Sequence, residues 1–289
     1  VYGLLEREGV DLVVPIDYPG FNLPLAGRAH ARGIAVVYYI APQVWAWKER
    51  RAAKLAAWSD EVCVVLPFEA ELLRQYGARA TFVGHPLLDQ PLPATDGERR
   101  SVGLFPGSRR QEVERMLPVF LEAIARLRTD ASVGEFDVRV ARSPDLPASA
   151  YVACPPGILA PPDDVLARSR AAITKSGTIT LQLALADVPM VVAYRVHPLT
   201  FGILRRLVRL DSVALVNLVA EERVVAECLQ DDMTPERLVA ELRPLLDDGL
   251  ARRRVLDGLA RVRERLGEPG AADRVCDVCL DWLPRTDAA

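Results

Sequence analysis

Two stretches of this chain bring together the residue types that bind phosphate. Phe105-Pro106-Gly107-Ser108-Arg109-Arg110 lies between an apolar run and an amphipathic one, so it reads as the turn from a strand into a helix. Gly107 lets the backbone turn tightly and approach a ligand. The helix that follows offers free N–H groups and a partial positive charge. Arg109 adds a fork of donors matched to a diphosphate. A plain turn with a solvated arginine is the alternative, but loop, dipole and Arg coincide here and favour an anion site that includes Ser108. Lys175-Ser176-Gly177-Thr178 repeats the arrangement after a second apolar run. Ser176 or Thr178 is equally explained as a helix cap. Two such loops in one half of the chain shift the balance towards a nucleotide diphosphate. Gln182 falls one helical turn beyond Thr178 on the same face, either within reach of a ribose hydroxyl or simply at the surface.

Asp17 follows the apolar run 11–16. A carboxylate at the carboxyl end of a strand is well placed as a general base, although a turn or helix-cap aspartate accounts for it as readily. Trp45 and Trp47 stand in a loop after the second strand. They fit the wall of an acyl or sugar pocket, or ordinary packing. His85 follows the fourth strand as a ligand contact or a linker residue. In Tyr194-Arg195-Val196-His197, Arg195 is the better anion candidate than His197.

The elements that must position these residues alternate. Apolar strands are read at 11–16, 34–40, 61–66 and 80–83, with helices at 21–32, 48–59 and 67–76 between and after them. Residues 86–100, with three prolines and no periodicity, read as a linker. A second series follows: strands at 101–105, 136–140, 151–154, 171–174, 189–194 and 213–216, and helices at 111–128, 163–168, 178–187 and 198–209. Helices at 221–229, 234–246, 250–266 and 271–283 close the chain. Strand–helix alternation with apolar strands means parallel sheets covered on both faces. The expected architecture is therefore two tandem Rossmann-like doubly wound α/β domains. Residues 1–90 form the first and 91–270 the second, with 271–289 a C-terminal helix returning to the first. Ligands of such domains are expected at the carboxyl ends of the strands, in the crevice between domains. The first series has only four strands and the chain opens on Val1 rather than Met, so the expectation is that N-terminal strands are missing.

The formal net charge of -3 argues against a nucleic-acid partner. Three histidines argue against a metal site, and five scattered cysteines point to a reducing compartment rather than a disulfide framework. Cys276 and Cys279, in a helical pattern, read as buried small hydrophobes rather than a redox pair. No apolar run approaches the ~20 residues of a spanning helix. No G-x-G-x-x-G follows any strand, which disfavours a dinucleotide-dependent oxidoreductase.

Taken together, the motifs resemble those of the lipid-A-disaccharide synthase family. They are Ile16-Asp17-x-Pro19-x-Phe21-Asn22, Pro42-x-Val44-Trp45-Ala46-Trp47, Leu66-Pro67-Phe68-Glu69, Val83-Gly84-His85-Pro86-Leu87, Pro106-Gly107-Ser108-Arg109-x-x-Glu112-Val113, Ser176-Gly177-Thr178 and Pro189-Met190-Val191-Val192-x-Tyr194-Arg195. The resemblance implies a GT-B fold, UDP as leaving group, and neither metal nor cofactor. It implies joining of UDP-2,3-diacylglucosamine to 2,3-diacylglucosamine 1-phosphate with inversion. The partners would be a UDP-sugar donor and an acylated glucosamine phosphate acceptor. The setting would be cytoplasmic, with room for peripheral inner-membrane contact and for a homodimer. Asp17 would be the base, Arg109 would meet the diphosphate, and Ser176, Gly177 and Thr178 would form the second loop. The family's Pro-Asn-Leu corresponds to Val216-Asn217-Leu218, which adds Asn217 to the UDP side. Trp45, Trp47 and His85 would flank the acceptor.

Three positions depart from the family pattern. Gly20 replaces an acid, Gln182 replaces the usual Glu, and no Gly-Glu-x-Ser-Gly-Asp segment is present. These departures keep a catalytically impaired UDP-sugar-binding homologue open as an alternative, and the fold also serves sugar-nucleotide epimerases.

Overall fold

The computed structural model describes residues 3, 5, 9–44, 49–95, 98–195 and 212–284. These divide into two compact units. One is drawn from residues up to Gln90 and from Leu266 onward, the other from residues between Pro91 and Arg265.

The first unit holds a parallel sheet in the order β1 (Leu12–Val13), β2 (Ala35–Tyr39), β3 (Glu61–Val64), β4 (Ala80–Phe82). Helices α1 (Pro19–His30), α2 (Glu49–Trp58) and α3 (Pro67–Gln75) connect them. Val36, Val37 and Tyr38 on β2 and Val62, Cys63 and Val64 on β3 are wholly buried, as strands covered on both faces require. β1 is shorter than the apolar run 11–16 suggests. Pro15 has no N–H to give the ladder, so pairing lapses there and resumes only as a single bridge between Ile16 and Tyr39. α1 begins two residues earlier than expected, with Pro19 in its first turn, a position that proline's fixed φ suits.

The last helix of the described chain, α10 (Ala271–Asp281), belongs to this unit. Its Val275, with Val278, Cys279 and Trp282, packs on Val37, Cys63 and Val83. Arg274 ties it down by donating to the Val83 and Glu268 carbonyls at 2.8 and 2.6 Å. Reading Cys276 and Cys279 as a buried pair is half corrected: Cys279 packs beside Cys63, whereas Cys276 is exposed.

The second unit holds a six-stranded parallel sheet, ordered β10-β9-β8-β5-β6-β7. Its elements are β5 (Ser101–Phe105), α4 (Arg110–Arg128), β6 (Asp137–Ala141), β7 (Leu159–Ala160), α5 (Pro162–Arg168), β8 (Ser169–Lys175), α6 (Ile179–Leu185) and β9 (Met190–Tyr194). They continue with α7 (Leu215–Ala220), β10 (Ala226–Leu229), α8 (Pro235–Leu242) and α9 (Leu250–Arg265). From β5 the chain first builds outward through β6 and β7, then returns to the other side of β5 with β8. The strand order therefore reverses between β5 and β8, and at such a point the loops leaving the carboxyl ends diverge and open a crevice.

Three expected elements are corrected. The run 213–216 is not a strand but leads into α7, and the stretch 221–229 contains strand β10 rather than a helix. Short apolar runs carry no period that tells a strand from a buried helix. Residues 151–154 are not a strand. Ala148–Tyr151 is a 3-10 turn whose buried Tyr151 hydroxyl accepts from the Ser143 amide at 2.9 Å, and β7 forms eight residues later. The helix expected at 198–209 lies outside the described residues.

Gly103, mid-strand in β5, leaves no room for a methyl group: a Cβ there would collide with Ser169 Oγ and sit 3.2 Å from Val165 Cγ1. Ser169 Oγ is buried and committed to the Val165 carbonyl, so it cannot swing away. Gly103→Ala is expected to lower stability by about 2 kcal/mol, read as a fall in the urea midpoint at unchanged m-value.

Candidate functional site

The loops after β5 and β8 flank the reversal point, where Leu104 pairs with Ile173 and Phe105 with Thr174. Gly107 has φ 118° and Gly177 φ 154°, conformations that disfavour any side chain. What binds the two loops together is a residue absent from the sequence-level site, Glu112. Its Oε2 accepts from the backbone amides of Ser108 and Arg109 at 3.2 and 3.3 Å. Its Oε1 meets Arg109 Nη1 at 3.0 Å and Lys175 Nζ at 3.1 Å. Burial alone would push the Glu112 carboxyl up. The Lys175 charge and the hydrogen bonds from Lys175 and Arg109 outweigh it and hold the group below its ordinary range. Lys175 in turn lies over the Tyr194 ring, 5.5 Å from its centre.

Glu112 thus closes the turn that leads into α4 by engaging the amides of Ser108 and Arg109, and the amides of Arg110 and Gln111, the first of the helix itself, are not among its partners. The same local device closes the turn before α3, where Glu69 accepts from the Leu66 amide at 3.2 Å. The pattern x-x-x-Glu after a strand was visible in both motifs and is the signal that could have pointed to Glu112. Arg109, at the rim, keeps its side chain 77% exposed and can still turn to a ligand.

In the second loop, Ser176 Oγ donates to the Val213 carbonyl at 2.7 Å, Thr178 is exposed, and Gln182 is half-buried one turn along α6. Two anticipated ligand groups are instead internal ties. Arg195 spends its guanidinium on the Gln230 and Met233 carbonyls at 3.1 and 2.6 Å, anchoring the end of β9 to the turn after β10. Asn217 is buried. Its Nδ2 donates to the Val225 carbonyl and to Glu227 Oε1, and its Oδ1 accepts from the amides of Val224 and Val225. No polar atom of Asn217 is left for a nucleotide. Glu227 also accepts from the Val213 and Ala214 amides, so Asn217 and Glu227 together shape the segment on which Ser176 leans.

In the first unit, Asp17 is exposed at the carboxyl side of β1. Its φ is 45°, and Tyr18 follows with φ 40° and ψ 63°. Left-handed backbone at residues other than glycine costs on the order of 1–3 kcal/mol each, somewhat less for Asp. Ile40, at the end of β2, is also left-handed at φ 60°, a real outlier for a β-branched residue. Strain thus gathers at one sheet edge, around the one carboxylate predicted to be a base.

His85 is corrected from a pocket contact to an internal cap. It is buried, its Nδ1 accepts from the Leu87 amide at 3.2 Å, and its own amide donates to the Leu266 carbonyl. Burial pulls its pKa from 6.5 to about 4, so it is neutral. Trp45, Trp47 and His197 lie outside the described residues. Among the described residues no group of three or more His, Cys, Asp or Glu is arranged to hold a metal ion, and no helix is long and apolar enough to cross a membrane.

Comparison with known proteins gives the site a context. The chain matches the family model described as lipid-A-disaccharide synthetase over residues 1–271. It is 42% identical over 301 residues to a lipid-A-disaccharide synthase of Geobacter metallireducens, across 97% of this chain and 77% of that protein. In fold it is similar to UDP-GlcNAc 2-epimerase from Neisseria meningitidis bound to UDP-GlcNAc: TM-score 0.63 and 12% identity, over 97% of this chain and 79% of that one. It is likewise similar to CalG4, the calicheamicin glycosyltransferase: TM-score 0.57 and 19% identity, over 96% and 74%.

Two outcomes follow from these charges. The folded state holds His85 at a lower pKa than the unfolded chain does, so the unfolded state binds the extra proton as pH falls from 6.5 towards about 4. Stability should decline across that window by up to about 3 kcal/mol, and His85→Asn, which retains an acceptor for Leu87, should flatten the decline. Glu112 contributes in the same sense but lower down: its stabilisation is full above its ordinary value near 4.5 and is lost as pH drops below it. Glu112→Gln at pH 7 should cost about 2 kcal/mol in urea unfolding, because Lys175 is left half-buried beside Arg109 without its counter-charge.

Proposed function

We infer the reaction from the fact that this chain belongs to the lipid-A-disaccharide synthase family. It is a GT-B hexosyltransferase of lipid A biosynthesis. Its resemblance to epimerases is one of fold alone, at 12% identity, against 42% to the synthase along nearly the whole chain. That contrast favours transfer over epimerisation.

The donor is UDP-2,3-diacylglucosamine and the acceptor 2,3-diacylglucosamine 1-phosphate. The acceptor's 6-hydroxyl attacks the anomeric carbon of the donor as the bond to UDP breaks. Asp17 takes the hydroxyl proton, and the displacement inverts the anomeric centre in one step, so no protein nucleophile is needed. Negative charge grows on the leaving diphosphate. Arg109, the Gly107–Ser108 loop and the loop of Ser176, Gly177 and Thr178 receive it. Gln182 is the ribose contact on this reading, a neutral hydrogen-bonding group where the family usually carries a charged one. Both substrates carry acyl chains, which is the reason to expect contact with the cytoplasmic face of a membrane.

The observation that carries this reading is the meeting of two glycine-turned loops, Arg109 and Lys175 around Glu112 at the carboxyl ends of β5 and β8. Arg109 keeps its side chain exposed there and can turn from Glu112 to a diphosphate.

Calorimetry with UDP tests the donor half. Arg109→Ala should weaken UDP binding roughly 10- to 100-fold, the loss of one or two charge-assisted hydrogen bonds. Unchanged affinity would remove the diphosphate from this loop. Turnover of the acylated substrates tests the other half. Asp17→Asn should lower kcat roughly 10²- to 10⁴-fold while UDP affinity holds.

A further inference from the structure

Asp17 does not sit in its left-handed conformation unaided. Its amide donates to the Tyr39 carbonyl at 2.9 Å. Its carbonyl accepts from two side chains at once, the Tyr38 hydroxyl at 2.8 Å and Asn22 Nδ2 at 2.8 Å. Asn22 Nδ2 also donates to the Ile16 carbonyl at 2.8 Å, so one amide group spans both peptide units that flank Asp17. Tyr38 is wholly buried in β2 and Asn22 is 9% exposed in the first turn of α1.

These contacts are aimed at the backbone of Asp17 and leave its carboxylate exposed to solvent. An extended or right-handed Asp17 would turn its carbonyl away from both donors and strand them in a buried place, which is unfavourable. The Tyr38 phenol is moreover kept protonated well above neutral pH, first by burial and then by the Asp17 charge nearby, so it remains a donor. In a strand the side chain of Tyr38 could as well have been phenylalanine; the hydroxyl has no other hydrogen-bond partner among those described.

We propose that Tyr38 and Asn22 are positioning residues for the transfer reaction, clamping the backbone of Asp17 so that its carboxylate is held in the direction needed to take the acceptor proton. This rests on the reading of Asp17 as the base. Neither residue is assigned contact with substrate. They act by removing the alternative backbone conformations that would swing the carboxylate away, a form of preorganisation in which a misplacement of about 1 Å is enough to cost on the order of 100-fold in rate.

The test is a double-mutant cycle on the full-length protein, with kcat, acceptor KM, UDP affinity and thermal midpoint measured for each variant. Tyr38→Phe removes a single oxygen atom and Asn22→Leu fills a similar volume without donors. Each should lower kcat about 10-fold or more, with UDP affinity unchanged and the fold retained. In an Asp17→Asn background neither should lower kcat further, because there is no longer a base to aim. Full kcat in Tyr38→Phe, or an equal loss whether or not Asp17 is present, would overturn the proposal. Should Asn22→Leu fail to fold, the Tyr38→Phe arm decides alone. The underlying reading fails separately and visibly, if Asp17→Asn by itself turns over at the normal rate.

Discussion

Glu112 is where the second unit's two phosphate-type loops become one structure. A half-buried carboxylate in contact with two backbone amides, an arginine and a lysine is a strong local constraint, since removing it would leave several donors and two positive charges facing one another. It fixes the turn after β5 in the conformation that only Gly107 permits, and it draws Lys175 at the end of β8 towards the start of α4. The pairing of β5 with β8, where the strand order reverses, makes this meeting possible, because it sets the two loops side by side.

The first unit uses a different principle at its own sheet edge. There, hydrogen bonds hold backbone strain rather than charge. Asp17, Tyr18 and Ile40 all adopt left-handed backbone at the carboxyl ends of β1 and β2. Such conformations persist only where surroundings over-determine them, and they concentrate at functional positions. The proline that cuts β1 short contributes: with no donor at Pro15, the chain leaves the ladder and is free to turn at Asp17. Both units thus place their constrained residues at the carboxyl ends of parallel strands, the end at which α/β sheets carry their ligands.

Family membership and fold say different things about chemistry. Similarity to an epimerase and to a glycosyltransferase at under a fifth identity describes a backbone on which several reactions are run. What separates them is sequence, and the match to the lipid-A-disaccharide synthases extends along nearly the whole chain. The departures at Gly20 and Gln182 sit on this frame without disturbing it. Gly20 lies in the first turn of α1 with nothing around it that a side chain would strike, and Gln182 occupies its helix face half-buried.

Much of this was legible in the residues. Continuous apolar runs alternating with amphipathic ones demand parallel sheets, because a strand buried on both faces can carry no polar alternation, and the glycines of the two loops announce turns that no other residue makes cheaply. The ordered set of motifs from Ile16-Asp17 through Trp45 and Trp47 to Tyr194-Arg195 was enough to name a family. The partner of each polar group was not legible. Arg195 looks like an anion receiver until the carbonyls of Gln230 and Met233 are found within its reach, and Asn217 like a nucleotide contact until Val224, Val225 and Glu227 claim every polar atom it has. Nor does the sequence say that Tyr38, twenty-one residues away, bonds the carbonyl of Asp17. Periodicity and turn chemistry are local and can be read along the chain. Hydrogen-bond satisfaction inside a protein is decided by which distant groups packing brings together, and only the tertiary structure supplies that.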